Sequence, residues 1–266
     1  MSTDIIKNFV YPLNVSKGSV QKRMTRSSAQ AWQYFDTTFK YFQNGNVKIK
    51  TLEKDMRNIV NCSAVKIDFL GQKKAYKPSF IEFDNVNPVM RVVIPVADSL
   101  NWINRIAFGK ILNKNPEMLN HEALHLFDLI NNPKIVKRAL NIAKSKDFKE
   151  IDEFYTKHMY GKFIDTEQMT GSLLKTEKEL KKFLKKRTLS QRINILQYYR
   201  NHCLLESRAY NWGAKCQQKF NTEQNCQDSL AHLFRFSIFF KKKYEMLNRL
   251  LFETISQERT NLRNRG

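Results

Sequence analysis

The chain has few of the residues that staple or loosen small domains. Its four cysteines, Cys62, Cys203, Cys216 and Cys226, include no C-x-x-C pair. A zinc ribbon or thioredoxin-like motif is thereby excluded, and free thiols in a reducing compartment, the cytoplasm or another, become the expectation. A bridge between Cys216 and Cys226 would close a ten-residue loop if the geometry allowed it. Eight glycines and six prolines are too few for a collagen-like or low-complexity polymer. No window approaches the roughly 20 consecutive apolar residues that span a bilayer, and "FRFSIFFKKKY" (234–244) is too short and too charged, so no transmembrane anchor is expected. The N-terminus also lacks the apolar core of a secretion signal. Its first 35 residues carry Lys7, Lys17, Lys22, Arg23 and Arg26 against Asp4 alone, a balance that leaves a transit peptide open.

Acidic residues are scarce as well: 25 stand against 46 Lys and Arg, for a net charge of +21. From Lys175 to the end, 20 basic residues face 8 acidic ones, so more than half of the excess sits in the last third. Such a field attracts nucleic acid or another polyanion, anionic lipid or acidic protein, and says nothing about fold. A hydrophobic content of 42% over 266 residues is enough to bury a sizeable core.

Hydrophobic spacing organises the chain. Residues 20–60 are predicted helical, with Trp32, Phe35, Phe39 and Phe42 at three- and four-residue steps and a turn at Asn44-Gly45-Asn46. Three strand candidates follow, "AVKIDFL" (64–70), "SFIEFD" (79–84) and "VMRVVIPV" (89–96), rich in β-branched and aromatic residues. Asn115-Pro116 then opens a helix that Asn131-Asn132-Pro133 closes, and the pattern stays helical to the C-terminus. The expected class is α+β but mainly helical: a small sheet, a capped helix, then a C-terminal helical region. We expect a single domain over 1–266 with a helical insertion at about 133–190 and a basic helical C-terminal part. The polar stretch "DTEQMTGSLLKT" (165–176) marks the best internal boundary.

The capped helix carries "LNHEALHLFD" (119–128). A step of four residues turns about 40° past a full helical circle, so His121 and His125 project from one face and both imidazoles can reach one Zn2+. Glu122 is rotated away from direct ligation, yet can take a proton from an activated water. With five histidines and fourteen glutamates, a chance H-E-x-x-H is expected in only roughly 0.5% of shuffled chains, so coincidence is a weak explanation.

A catalytic zinc needs a third protein ligand. Position 131 is Asn, which rules out the short spacing with a third histidine. The best candidate is Glu206 in "NHCLLESRAYNWGAK" (201–215), where Tyr199, His202, Glu206, Ala209, Tyr210 and Gly213 share a face. Small Ala209 and Gly213 permit close approach, and polar groups there are costly to bury without a partner. His158 and His202 are the alternatives. Asp128 lies on the ligand face and can accept a hydrogen bond from a histidine or a neighbouring group. Tyr210, Tyr199 and His202 are candidates to stabilise an oxyanion. "VMRVVIPV" is either a core strand or an edge along which a peptide adds as a strand.

These segments resemble a known family. "HEALHLFD" with "NHCLLESRAYNWGAKC" is similar to the gluzincin-type mitochondrial metalloprotease family that processes and chaperones an ATP synthase subunit. His121, Glu122, His125, Phe127 and Asp128 match its first block; His202, Glu206, Arg208, Ala209, Asn211 and Cys216 match its second. The likeness covers about 25 residues. Leu126, Cys203 and Ser207 depart from the pattern, and tens of residues are inserted between the blocks. It implies a zincin-like fold, Zn2+ on His121, His125 and Glu206, and Glu122 as base. The expectation is a zinc metalloendopeptidase acting on protein or peptide. Its rival is a basic nucleic-acid-associated or structural protein, of a viral or phage kind, with the scaffold and no protease activity.

Overall fold

A computed structural model describes residues 20–45, 48–63, 65–71, 80–84, 87–94, 116–160, 166–220 and 227–263. The basic N-terminal segment, the Asn115 cap and Cys226 lie outside the described residues.

Helix α1 (Val20–Gln43) ends at the Asn44-Gly45 turn, where Gly45 adopts φ 65°. Helix α2 (Ile49–Val60) ends on Asn61 in the left-handed conformation, φ 50°, and the Asn61 N–H caps the carbonyls of Arg57 and Asn58. On α1, Met24, Ala31, Phe35 and Phe42 are buried, as the three- and four-residue steps require. Trp32 and Phe39 lie at the margin of the same cluster.

The motif helix α3 (Pro116–Asn131) lies between α1 and a 32-residue helix, α7 (Leu189–Phe220). Leu119, Ala123, Leu124, Leu126, Phe127 and Ile130 bury most of its circumference, so α3 is a core helix rather than a surface one. After it come α4 (Pro133–Ala143), α5 (Phe148–Phe154) and a π-helical turn, Tyr155–Tyr160. Helix α6 (Thr166–Lys185), then α7, and then α8 (Gln227–Arg263) complete the chain.

The boundary expected at 165–176 is instead the start of α6. Buried Met169, Thr176, Leu180 and Leu184 run along one side of that helix, and this stripe outweighs the polar composition of the other side. The π-helical turn is held by Lys243 of α8, which is 1% exposed. Its ammonium donates to the carbonyls of His158, at 3.0 Å, and Met159. Thr176 also donates to the His158 carbonyl, at 3.3 Å.

The α+β expectation, with a zincin-like sheet leading into the motif helix, needs correction: the described chain is overwhelmingly helical. The backbone pairs as strands only in β1 (Lys66–Gly71), β2 (Phe80–Asp84) and β3 (Asn87–Ile94). Val65, just before β1, belongs to the cluster built by α1, α2 and α3, and the backbones of β2 and β3 run against α3. Short β-branched runs predict local pairing but not its share of the fold, and here three short strands stand among long helices. The strand order is β1-β3-β2, with β3 parallel to β1 and antiparallel to β2. The "VMRVVIPV" strand is therefore the central one, with Val89–Arg91 paired on both sides.

Among the described residues two hydrophobic clusters make up the interior. One joins α1, α2, α3 and the second half of α7 through Leu205, Trp212 and Cys216. The other joins α4, α5, α6, α8 and the first half of α7, from Ile195 to Cys203. Helix α7 belongs to both.

Candidate metal centre

Glu206 sits where α7 passes from one cluster to the other. Across from it, α3 presents His121 and His125 one turn apart. The His121 and His125 Nε2 atoms are 3.1 Å apart, and each is 3.7 Å from a Glu206 carboxylate oxygen. One ligand atom from each residue lies within 4.8 Å of the others, the only such grouping among the described residues. A tetrahedral centre with bonds of about 2.0–2.2 Å has ligand-to-ligand edges of about 3.3–3.5 Å. The observed 3.1, 3.7 and 3.7 Å bracket that value, so the three donors are close enough to share one metal ion. Buried Ala209 and Gly213 let α7 come close enough for Glu206 to reach.

The electrostatics follow from this crowding. Burial, and then the nearby charge of His125, press His121 down to about 3, although Glu206 and a hydrogen bond with the Ala209 backbone oppose them. Burial also works against a charge on His125, but its hydrogen-bonded partner Glu206, then Glu122 and Asp128, outweigh that and lift it to about 9. Burial alone would raise Glu206; His125, His121 and His202 together hold it below the ordinary carboxylate range. Without metal, the trio is thus a carboxylate, one imidazolium and one neutral imidazole.

Glu122 Oε1 lies 4.0 Å from His121 Nε2. Burial lifts this carboxyl to about 7, with His125 pulling down and Glu206 pushing up. A carboxylate near 7 is matched to taking and returning a proton at neutral pH.

Asp128, fully buried, takes the neighbouring-group option and not a histidine. The Arg208 fork donates to both its oxygens, Nε to Oδ2 at 2.8 Å and a terminal nitrogen to Oδ1 at 3.0 Å. That terminal nitrogen also reaches the Met24 carbonyl and Ser28 Oγ, each at 3.1 Å. Asp128 is three residues from His125 and Arg208 two from Glu206, so the pair braces both ligand helices and ties them to α1. Burial pushes the Asp128 carboxyl up, and Arg208 and Ser27 draw it only part of the way back, so it stays above the ordinary carboxylate range. Beside it Asn131 donates to Gln30 Oε1 at 2.7 Å and to Ser27 Oγ at 3.2 Å, and Arg23 to Asn132 Oδ1 at 3.0 Å.

The other candidates separate. Tyr210 packs its ring edge-on against His121, with centroids 4.6 Å apart, and is backed by Phe236 and Phe240 of α8. Tyr199 is spent elsewhere, its hydroxyl donating to the Ile151 carbonyl at 2.7 Å. His202 lies between the rings of Tyr155 and Tyr198, and burial holds it down at about 4, against the pull of Glu206. His158 stacks on Phe154 in the π-helical turn and is not part of the ligand grouping.

Sequence reasoning missed the α1 brace, the Tyr155 and Tyr198 rings around His202, and the Phe236 wall. Each depends on tertiary neighbours and has no local spacing signature. Comparison with protein-family models, curated proteins and solved structures finds no match for this chain.

Proposed function

We propose that the protein is a zinc-dependent peptidase, with His121, His125 and Glu206 holding the metal and Glu122 serving as general base. The observation that carries this reading is the convergence of three donor atoms from two helices at 3.1, 3.7 and 3.7 Å, with the Glu122 carboxylate beside them. When bound, zinc supplies Lewis acidity that brings the pKa of a water toward roughly 7 and polarises a carbonyl. Glu122 accepts the water proton on its carboxylate and returns it to the leaving amine. Tyr210, edge-on to His121, is the nearest of the candidates to donate a hydrogen bond to the developing oxyanion. Arg208 and Asp128 keep α3 and α7 in register.

The +21 charge motivates the rival reading of a nucleic-acid-associated protein without protease activity. It leaves the converging ligands unexplained. The test is metal analysis of the purified chain together with cleavage of an unstructured protein by wild type and Glu122→Gln. One zinc per chain in both, with cleavage in wild type alone, supports the proposal. Wild type with neither metal nor cleavage overturns it.

A further inference from the structure

On the side of the molecule formed by α6 and α8, an open groove of about 520 Å3 is lined by Lys178, Lys181, Lys182, Lys185 and Arg249, with Glu177 as its single acid. The four lysines fall at steps of three and four, so they form one stripe on α6 about 10 Å long. Like charges at this spacing repel one another, a cost that a bound anion removes. Glu177 does not cancel the stripe. It accepts Arg249 at 2.5 Å and Lys181 at 2.7 Å, and so fixes Arg249 as the opposite wall. Lys182 is paired with Glu179 at 3.0 Å, while Lys178 and Lys185 are in no ion pair among the described residues. Five cations against Glu177 leave the lining itself at +4, an excess reduced by Glu179 on Lys182 and by Glu253, which pairs with Arg249 at 3.5 Å.

Two large apolar side chains of these helices are exposed: Leu174, 65% exposed and part of the lining, and Phe252, 73% exposed and one turn beyond Arg249 on α8, outside the lining residues. Among the described residues Ile238 is the only other large hydrophobic so exposed. Three scattered residues are too few for a face that inserts into a bilayer, and a run of carboxylates gains nothing from an aromatic ring. A basic groove beside an exposed aromatic suits a nucleic-acid strand, whose phosphates track the lysines while a base stacks on the ring.

We propose that the α6–α8 groove binds single-stranded nucleic acid through its phosphate backbone, with Phe252 as a stacking platform. This goes beyond the peptidase reading and does not depend on it. The experiment uses the full chain and a fluorescent oligonucleotide of about ten nucleotides, a site size typical of such grooves. Anisotropy is followed across a salt series for wild type, K178E/K185E and Phe252→Ala. Removing two phosphate contacts should weaken binding about 25-fold at 0.1 M salt and make the log–log salt slope shallower by about 1.4. Phe252→Ala should weaken it about tenfold with the slope unchanged. Zinc content and peptide cleavage should match wild type in both variants, so failure here is distinguishable from failure of the metal site. The proposal is overturned if wild type does not bind at low salt, if K178E/K185E binds like wild type, or if polyglutamate or anionic vesicles bind and the oligonucleotide does not.

Discussion

The Asp128–Arg208 brace can be tested by asking which half is worse to lose. The two groups form a bidentate pair, but their surroundings differ: Asp128 is fully buried, whereas the Arg208 side chain keeps 22% of its surface in water. At about 4 Å between charge centres and an effective dielectric of 20, their attraction is about 4 kcal/mol, which offsets the desolvation of both. Arg208→Met leaves a carboxylate with no cation in a dry site and should cost about 3–5 kcal/mol. Asp128→Asn leaves a guanidinium that still reaches water, the Met24 carbonyl and Ser28, and should cost about 1–3 kcal/mol. The double variant should cost at least about 1 kcal/mol less than the sum. In Arg208→Met the orphaned Asp128 carboxyl has its folded pKa raised, so the folded state binds the extra proton. Its stability is then fully present below the ordinary carboxyl value and falls as pH rises above about 4. Urea unfolding of metal-free protein at pH 5 and 7 measures all of this. Zinc affinity should also fall about 10–100-fold, because ligands on two helices lose their common reference. Equal costs for the two single variants, or an additive cycle, would refute the idea that Asp128 bears a paired buried charge.

Further expectations concern the same interior. Because His125 is lifted to about 9 by its protein neighbours, zinc binding must displace its proton. Affinity should rise about tenfold per pH unit between 6 and 8, with about one proton released per zinc, measurable by titration calorimetry in buffers of different ionisation enthalpy. Glu206→Gln should lose stoichiometric zinc and, by stripping the raised His125 of its carboxylate partner, also cost about 1–3 kcal/mol of metal-free stability at pH 7, which metal analysis beside urea unfolding would show. Burial lowers Lys243 to about 8, so between pH 8 and about 10.4 the unfolded chain holds a proton that the folded one lacks. Stability should therefore rise across that window by up to about 3 kcal/mol relative to Lys243→Met, as seen in paired unfolding curves. Phe127→Ala, which empties a fully buried ring site in α3, should cost about 3–5 kcal/mol in the same assay.

What was legible in the sequence was what local spacing encodes. The bounds of α3 followed from its flanking Pro116 and the Asn131-Asn132-Pro133 stop, and the direction of His121 and His125 followed from the four-residue step. Glu206 was identifiable because a polar face among small residues needs a reason to be buried. Asp128 was marked as a ligand-face acceptor, but its donor, 80 residues away in Arg208, was not chosen. The sheet was the main misjudgement: β-branched runs at 64–96 carry a pairing signal and do pair, yet long helices dominate the described chain. The π-helical turn at Tyr155–Tyr160 was equally hidden, since its cap is an ammonium from the last helix. Residues 165–176 misled for the opposite reason. Their composition is polar, and only the Met169–Thr176–Leu180–Leu184 stripe reveals the helix.

The place of Glu206 along α7 has a mechanical consequence. Cys203 belongs to the cluster built with α8 and Leu205 to the cluster built with α1 and α3, so the proposed ligand lies on the seam between two cores. Over its 32 residues α7 runs roughly 48 Å and is the chief element shared by both. A cation held by α3 and Glu206 would fasten one core to the helix that threads the other, at the point where apolar packing changes partners. Around that point the polar groups are individually committed: Arg208 to Asp128 and α1, Tyr210 against His121 and the α8 rings. Removing the metal should therefore loosen the seam before either core. In hydrogen exchange, amides of α7 near Glu206 and of α3 near His125 should lose protection on chelation, while those beside Phe240 and Leu247 in α8 keep theirs. Uniform loss across α7 and α8 would instead mean that the two clusters unfold as one, and that the ligands sit inside a single cooperative core.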